Sequence, residues 1–141
     1  MFSTWAISFG PDHSTENDVR RAFEHLGWET DPWQEGEFLA DCATNPDAVF
    51  ARCLQADLVL HTMTQGSYGP AAKIVNLWAA LAGRGIPTAS IHLDLFYGLS
   101  SPKDSGPQRC DLPRLHPMFR VAHVFTADGG HQAEFERDGV N

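Results

Sequence analysis

The stretch ADLVLHTM, residues 56–63, constrains this chain most. A near-continuous apolar run of strand length has both faces covered, which is the habit of strands inside parallel sheets rather than of exposed hairpins. The residues after it supply the expected crossover. In TQGSYGPAAKIVNLWAALAGRGIP, Pro70 suits the first helical position, and Ile74, Leu77, Trp78 and Leu81 form one stripe that ends at Gly83 and Gly85. PTASIHL (87–93) then reads as the next strand, opened by Pro87, and VAHVFTA (121–127) as the last.

The same alternation extends towards the N-terminus. FSTWAISF (2–9), with Phe2, Trp5, Ile7 and Phe9, reads as a first strand closed by Gly10-Pro11. The following segment has Ser14 or Thr15 as cap, Glu16 and Asp18 in its first turn, and Val19, Phe23 and Leu26 at helical spacing before Gly27. WETDPW (28–33) reads as a weak strand interrupted by Pro32 and so placed towards an edge. After a polar loop, NPDAVFARCLQ (45–55) has an Asn45 cap, Pro46 at the first helical position and a stripe of Val49, Phe50, Cys53 and Leu54. Strands alternating with helices predict an α/β fold: a Rossmann-like, doubly wound sheet of about five parallel strands with helices on both faces.

Composition bounds the rest. A chain of 141 residues fits one domain with a real core, and 43% hydrophobic with 20% charged residues is the balance of a folded protein. The net charge of −8 opposes general binding to nucleic acid or anionic membranes, although Arg20, Arg21 and Arg84 leave room for a local basic patch. No apolar run reaches the length of a membrane span and the N-terminus lacks signal-peptide features, so a cytoplasmic location is expected. Cys42, Cys53 and Cys110 have no metal-ligand spacing and read as ordinary thiols.

In a parallel sheet, ligands meet the loops beyond the carboxyl ends of the strands. In GPDHSTEN, Asp12 and His13 precede a helix; His13 is a candidate general base oriented by a carboxylate, against the plainer reading of caps and an exposed imidazole. In HTMTQGSYG, the segment Thr64, Gln65, Gly66 and Ser67 offers hydroxyls and backbone N–H groups to a phosphate or sugar, or simply makes a turn. It is no Walker loop, and no G-x-G-x-x-G fingerprint occurs. Asp94 falls where a strand gives way to loop, with Phe96 and Tyr97 beside it as an aromatic wall carrying one hydroxyl. The Pro-rich segment from there to Phe119 is long enough to be either a functional loop or a cover pinned by Leu112, Leu115, Met118 and Phe119. Asp128, in TADGG, caps a helix or faces a ligand from the same edge.

The order of these pieces resembles the N-terminal Rossmann-like half of GT-B glycosyltransferases, most closely the CgeB-like group. The residues that carry it are ADLVLHTMTQG (56–66), NLWAALAGRGIPTASIHLD (76–94) and HPMFRVAHVFTADGGHQAEFERDGV (116–140), with a weaker fit before them. The resemblance implies transfer of a sugar from a nucleotide-sugar donor to an acceptor bound by this domain across residues 1–141; the acceptor stays open among a saccharide, a small molecule, a protein and, less favoured by the negative charge, modified DNA. The donor would be bound mainly by a C-terminal domain absent from these residues. It implies no metal and no cofactor beyond the donor as co-substrate. It also implies that the loops bearing Asp12, His13, Thr64 to Ser67, Asp94, Tyr97 and Asp128 face the acceptor. An inverting enzyme needs a base there, His13 or Asp94, whereas a retaining one can use the domain for positioning alone.

On this reading the ending VFTADGGHQAEFERDGVN is a βα unit, with Phe135 as the core contact of its helix, Gly139 as C-cap and Val140 opening a further strand. The expectation is a truncated, inactive fragment that partners its own C-terminal domain. Two alternatives stand beside it: a Rossmann- or flavodoxin-like module that binds a ligand or partner without catalysis, and a small hydrolase built on His13 with Ser14 or Asp12. The last lacks a G-x-S-x-G elbow.

Overall fold

The computed structural model describes residues 15–62, 70–92, 116–127 and 130–140. In chain order these form α1 (Thr15–His25), α2 (Glu35–Thr44), α3 (Pro46–Cys53), β1 (Val59–Thr62), α4 (Ala71–Ala82), β2 (Thr88–His92), a 3-10 turn (Pro117–Phe119), β3 (His123–Thr126) and α5 (Gln132–Arg137). The fold is mixed α/β around a parallel sheet of three strands, ordered β1-β2-β3. Val59 pairs with Thr88 and Thr62 with Ile91, and on the other side Ala89 pairs with His123 and His92 with Thr126. The segment 2–9, expected as a first strand, lies outside the described residues. No helix among those described is long and apolar enough to cross a membrane.

Side chains alternate across a strand, and parallel register puts paired residues on one face. One face of β1 and β2 therefore carries Val59, His61, Thr88, Ser90 and His92, and the other carries Leu60, Thr62, Ala89 and Ile91. The first face is covered by the main core: Val59 clusters with Phe38 and Cys42 of α2, Val49 and Cys53 of α3, and Ile74, Leu77, Trp78 and Leu81 of α4. Burying each large member of that α4 stripe stabilises the fold by about 1.5–3 kcal/mol. An aromatic row, Trp33, Phe38 and Trp78, joins α2 to α4, with ring centroids 5.4 and 6.1 Å apart. On the second face, Val19 and Phe23 of α1 pack with Leu60 and Ala89. A smaller cluster of Phe119, Phe135 and Val140 holds α5.

Local chemistry explains most boundaries. Asn45 caps α3 by accepting from the Ala48 N–H (3.4 Å), with Pro46 at the first helical position. α1 and α4 end in the same way. Gly27 and Gly85 adopt φ of 87° and 73°, and Trp28 N–H and Ile86 N–H reach back to the Phe23 and Leu81 carbonyls at 3.0 Å. Only glycine takes that backbone conformation without strain.

Three expectations are corrected. WETDPW is not a strand: within it only Trp33 makes an isolated bridge. The polar loop after it is instead the helix α2. That helix has no side-chain cap, since Gln34 makes none, and it owes its existence to burial of Phe38 and Cys42, one turn apart. Finally, Leu26 completes the α1 stripe by spacing yet is 73% exposed, because α1 ends at His25 and Leu26 falls in the turn that leaves the helix.

Candidate functional site

The carboxyl ends of the three strands are Thr62, His92 and Thr126. Beneath that edge, on the face turned to α4, lies a layer of buried polar side chains: His61, Thr88, Ser90 and His92. Alternation explains their position, because each is an odd member of a strand whose even members face α1. The 3-10 turn closes the layer from below. Its Met118 and Phe119 are buried, and the Trp78 indole N–H donates to the Pro117 carbonyl (3.1 Å). The Ala122 N–H donates to Thr88 Oγ1 (2.9 Å), and the Met118 N–H donates to His116 Nδ1 (3.3 Å).

His92 is the centre of the layer. Its Nε2 lies 2.9 Å from Ser90 Oγ. Its ring stacks on Phe119 with centroids 4.3 Å apart and an 8° tilt. The His61 ring is 6.5 Å away, and His116 stands edge-on to Phe119 at 6.2 Å. His92 Nδ1 is buried without a hydrogen-bond partner of ordinary geometry among the described residues. Burial, and then the neighbouring His116, push the His92 pKa down to about 4, with the Met118 backbone pulling the other way. Burial first, then His92 and His116, hold His61 well below the usual histidine value. Both rings are therefore neutral at physiological pH.

A serine hydroxyl 2.9 Å from an imidazole is the geometry of general-base activation. Here, however, Ser90 and His92 are both fully buried, so no substrate reaches the pair. What the layer does is fix the carboxyl edge: the His92–Phe119 stack ties β2 to the 3-10 turn, and the Ala122 N–H bond to Thr88 ties it to the segment just after that turn.

The sequence-nominated residues Asp12, His13, Thr64, Gln65, Gly66, Ser67, Asp94, Tyr97 and Asp128 all lie outside the described residues. Thr64, Asp94 and Asp128 each come two residues after a strand's last residue, Thr62, His92 and Thr126. Sequence reasoning missed His61, Ser90, His92 and His116. The available signal was one imidazole inside each of the two strands, VLHT and TASIH.

Cys42 and Cys53 are free and buried, and burial first raises both thiols to about 12, which makes them poor nucleophiles. Cys110 lies outside the described residues. Among those described, no group of three histidine, cysteine or acidic side chains is placed to hold a metal ion.

A second concave surface lies at the opposite edge. Leu26, Gly27, Trp28, Glu29 and Asp31, with Gln55, Ala56 and Asp57 just before β1, line a cleft of about 510 Å³. Beside it, Arg52 makes a two-pronged ion pair with Asp31 (3.0 and 2.7 Å) and lies 4.0 Å over the Trp33 ring.

Compared with known proteins, the chain stands apart: no family model matches it, and neither a curated protein nor a solved structure does so.

Proposed function

We propose that the chain is the acceptor-side half of a nucleotide-sugar-dependent glycosyltransferase, built on a doubly wound Rossmann-like sheet in which residues 2–9 and the three parallel strands take part. The observation that supports it most is the spacing at the carboxyl edge. Three candidate polar residues from distant parts of the chain, Thr64, Asp94 and Asp128, each follow a strand end by two positions in a sheet whose strands all point the same way. Parallel sheets use that edge for ligands. The buried histidine layer beneath it supplies a rigid base for such a site.

On this reading Asp94 or His13 takes the proton of an acceptor hydroxyl if the reaction inverts, while Thr64 to Ser67, Asp12, Tyr97 and Asp128 orient the acceptor. Donor contacts belong to a second domain, and no metal is required. Catalysis then needs both halves in one location, which the reading takes to be the cytoplasm.

The decisive experiment is a donor-hydrolysis and transfer screen of the complete reading frame with uridine, guanosine and thymidine diphosphate sugars against saccharide and small-molecule acceptors. Transfer abolished by Asp94→Asn supports the reading. Tight and specific binding of a nucleotide sugar by residues 1–141 alone refutes the division of labour. The sealing of His61, Ser90 and His92 favours a second reading, a module that binds without chemistry, because the imidazoles seen beneath this edge cannot meet a ligand. Saccharide binding with no turnover of any donor selects it.

A further inference from the structure

The cleft at the amino end of β1 lies away from the edge just discussed, and it combines groups that a folded chain ordinarily satisfies internally. Leu26, just past the end of α1, is 73% exposed although helical spacing puts it in register with the partly buried Val19 and Phe23. Trp28 is 41% exposed, steadied by a perpendicular contact with Phe23 at 5.7 Å between ring centroids. Glu29 and Asp57 line the same cleft, and neither has a hydrogen-bond or ion-pair partner among the described residues. An indole face and two carboxylates without a cation are complementary to a guanidinium.

The neighbouring contact shows this chemistry satisfied within the chain. Arg52 is held by the Asp31 carboxylate on one side and lies over the Trp33 ring on another. Trp28 with Glu29 and Asp57 offers the same ingredients a few residues away, and none of the described residues supplies a cation to them. The net charge of −8 adds long-range attraction for a basic partner.

We infer that this cleft docks an arginine side chain of a partner polypeptide, with an apolar residue next to that arginine covering Leu26. A polypeptide fits better than a free amine, because a small cation satisfies Glu29 and Asp57 yet leaves Leu26 uncovered. The inference is independent of glycosyl transfer, since it uses none of the residues proposed for that site.

The test titrates the full chain with an acetylated, amidated pentapeptide that carries arginine between two leucines, and with the same peptide carrying the neutral isostere citrulline. Proton–nitrogen correlation spectra report where binding occurs. The expected result is saturable shifts at the Trp28 indole and at Gly27, with the citrulline peptide bound about tenfold more weakly. The doubly substituted variant Glu29→Gln, Asp57→Asn, which alters only exposed side chains, weakens the arginine peptide by about the same factor and leaves the citrulline peptide unchanged. Trp28→Ala weakens both peptides. Equal binding of the two peptides, shifts confined to the other edge of the sheet, or no saturable binding overturns the inference.

Discussion

The two ends of β1 invert the usual distribution of side chains in opposite ways. At the carboxyl end, polar groups are inside: His61 is 1% exposed, and Ser90 and His92 on the next strand are not exposed at all. At the amino end, apolar groups are outside, with Leu26 and Trp28 standing at the rim of a cleft. A buried polar group costs stability unless it is partnered, and an exposed apolar group forgoes the gain of burial. The carboxyl edge meets part of its cost internally, through the His92–Phe119 stack, the His92–Ser90 contact and the bond from the Ala122 N–H to Thr88. The amino edge leaves its deficit for something outside the chain. One end is organised by its own interior, and the other is the one for which a docked arginine is inferred.

The largest effect that separates the two comes from Phe119, which is 2% exposed and forms the floor on which the His92 ring lies. Phe119→Ala removes the stack and opens a cavity beneath two histidines, and is expected to cost about 3–5 kcal/mol. Urea denaturation at neutral pH measures it. A loss under about 1 kcal/mol breaks the comparison, because the histidine layer then does not depend on the turn that closes it.

Next is the response to acid. The folded-state pKa of His92 is depressed, from the usual 6.5 to about 4, because its charged form is disfavoured inside. For a histidine shifted in that direction, the unfolded chain binds the proton first. Stability is therefore full above pH 6.5 and falls as the pH drops from there towards 4, by about 3 kcal/mol for a shift of this size. His61, depressed by the same burial, steepens the fall. His92→Gln removes one titrating group, and its stability-versus-pH curve should be flatter than the parent's by about one proton across that window. Parallel curves would mean that His92 is not buried as a neutral ring.

The contrast also marks what could be read from residues in a line. Long apolar stripes with punctuation gave α1, α3, α4 and the three strands, with the Asn45 cap marking the start of α3 and Gly27 and Gly85 the ends of α1 and α4. The helix α2 escaped, since nothing in EGEFLADCAT signals a start and its stability comes from Phe38 and Cys42 reaching partners in α3 and α4. WETDPW looked like a strand because its aromatics suit one, but Trp33 spends its ring on Phe38 and Arg52 instead. At the candidate site, the rule about strand ends points to loops that lie outside the described residues. The histidine layer was not legible, because one imidazole in a strand says nothing about which rings on other strands and turns it meets.

A smaller effect belongs to the ion pair that borders the cleft. Arg52 and Asp31 are partly exposed, 36% and 54% by side chain, so solvent screens them and the bridge contributes modestly. A double-mutant cycle with Arg52→Met and Asp31→Asn should give a coupling of about 0.5–1 kcal/mol, near the upper end for exposed pairs because the contact is two-pronged. A coupling of zero would weaken the analogy between this contact and the one inferred for Trp28.

The smallest expected effect carries the most weight for the amino edge. By spacing alone, Leu26 is a core residue of α1, and a leucine in a core loses about 2–5 kcal/mol on truncation. By its position it is a surface residue, with 73% of it in solvent, and Leu26→Gln should change stability by less than about 0.5 kcal/mol. The comparator is Phe23→Ala on the same helix, which packs against Leu60 and Ala89 and should cost several times more. If Leu26→Gln instead destabilises the isolated chain as Phe23→Ala does, then the chain itself covers Leu26 in solution, the cleft is closed, and the asymmetry between the two ends of β1 disappears. If it leaves stability unchanged but weakens the leucine–arginine–leucine peptide, Leu26 is retained at that stripe position for a contact made with another polypeptide.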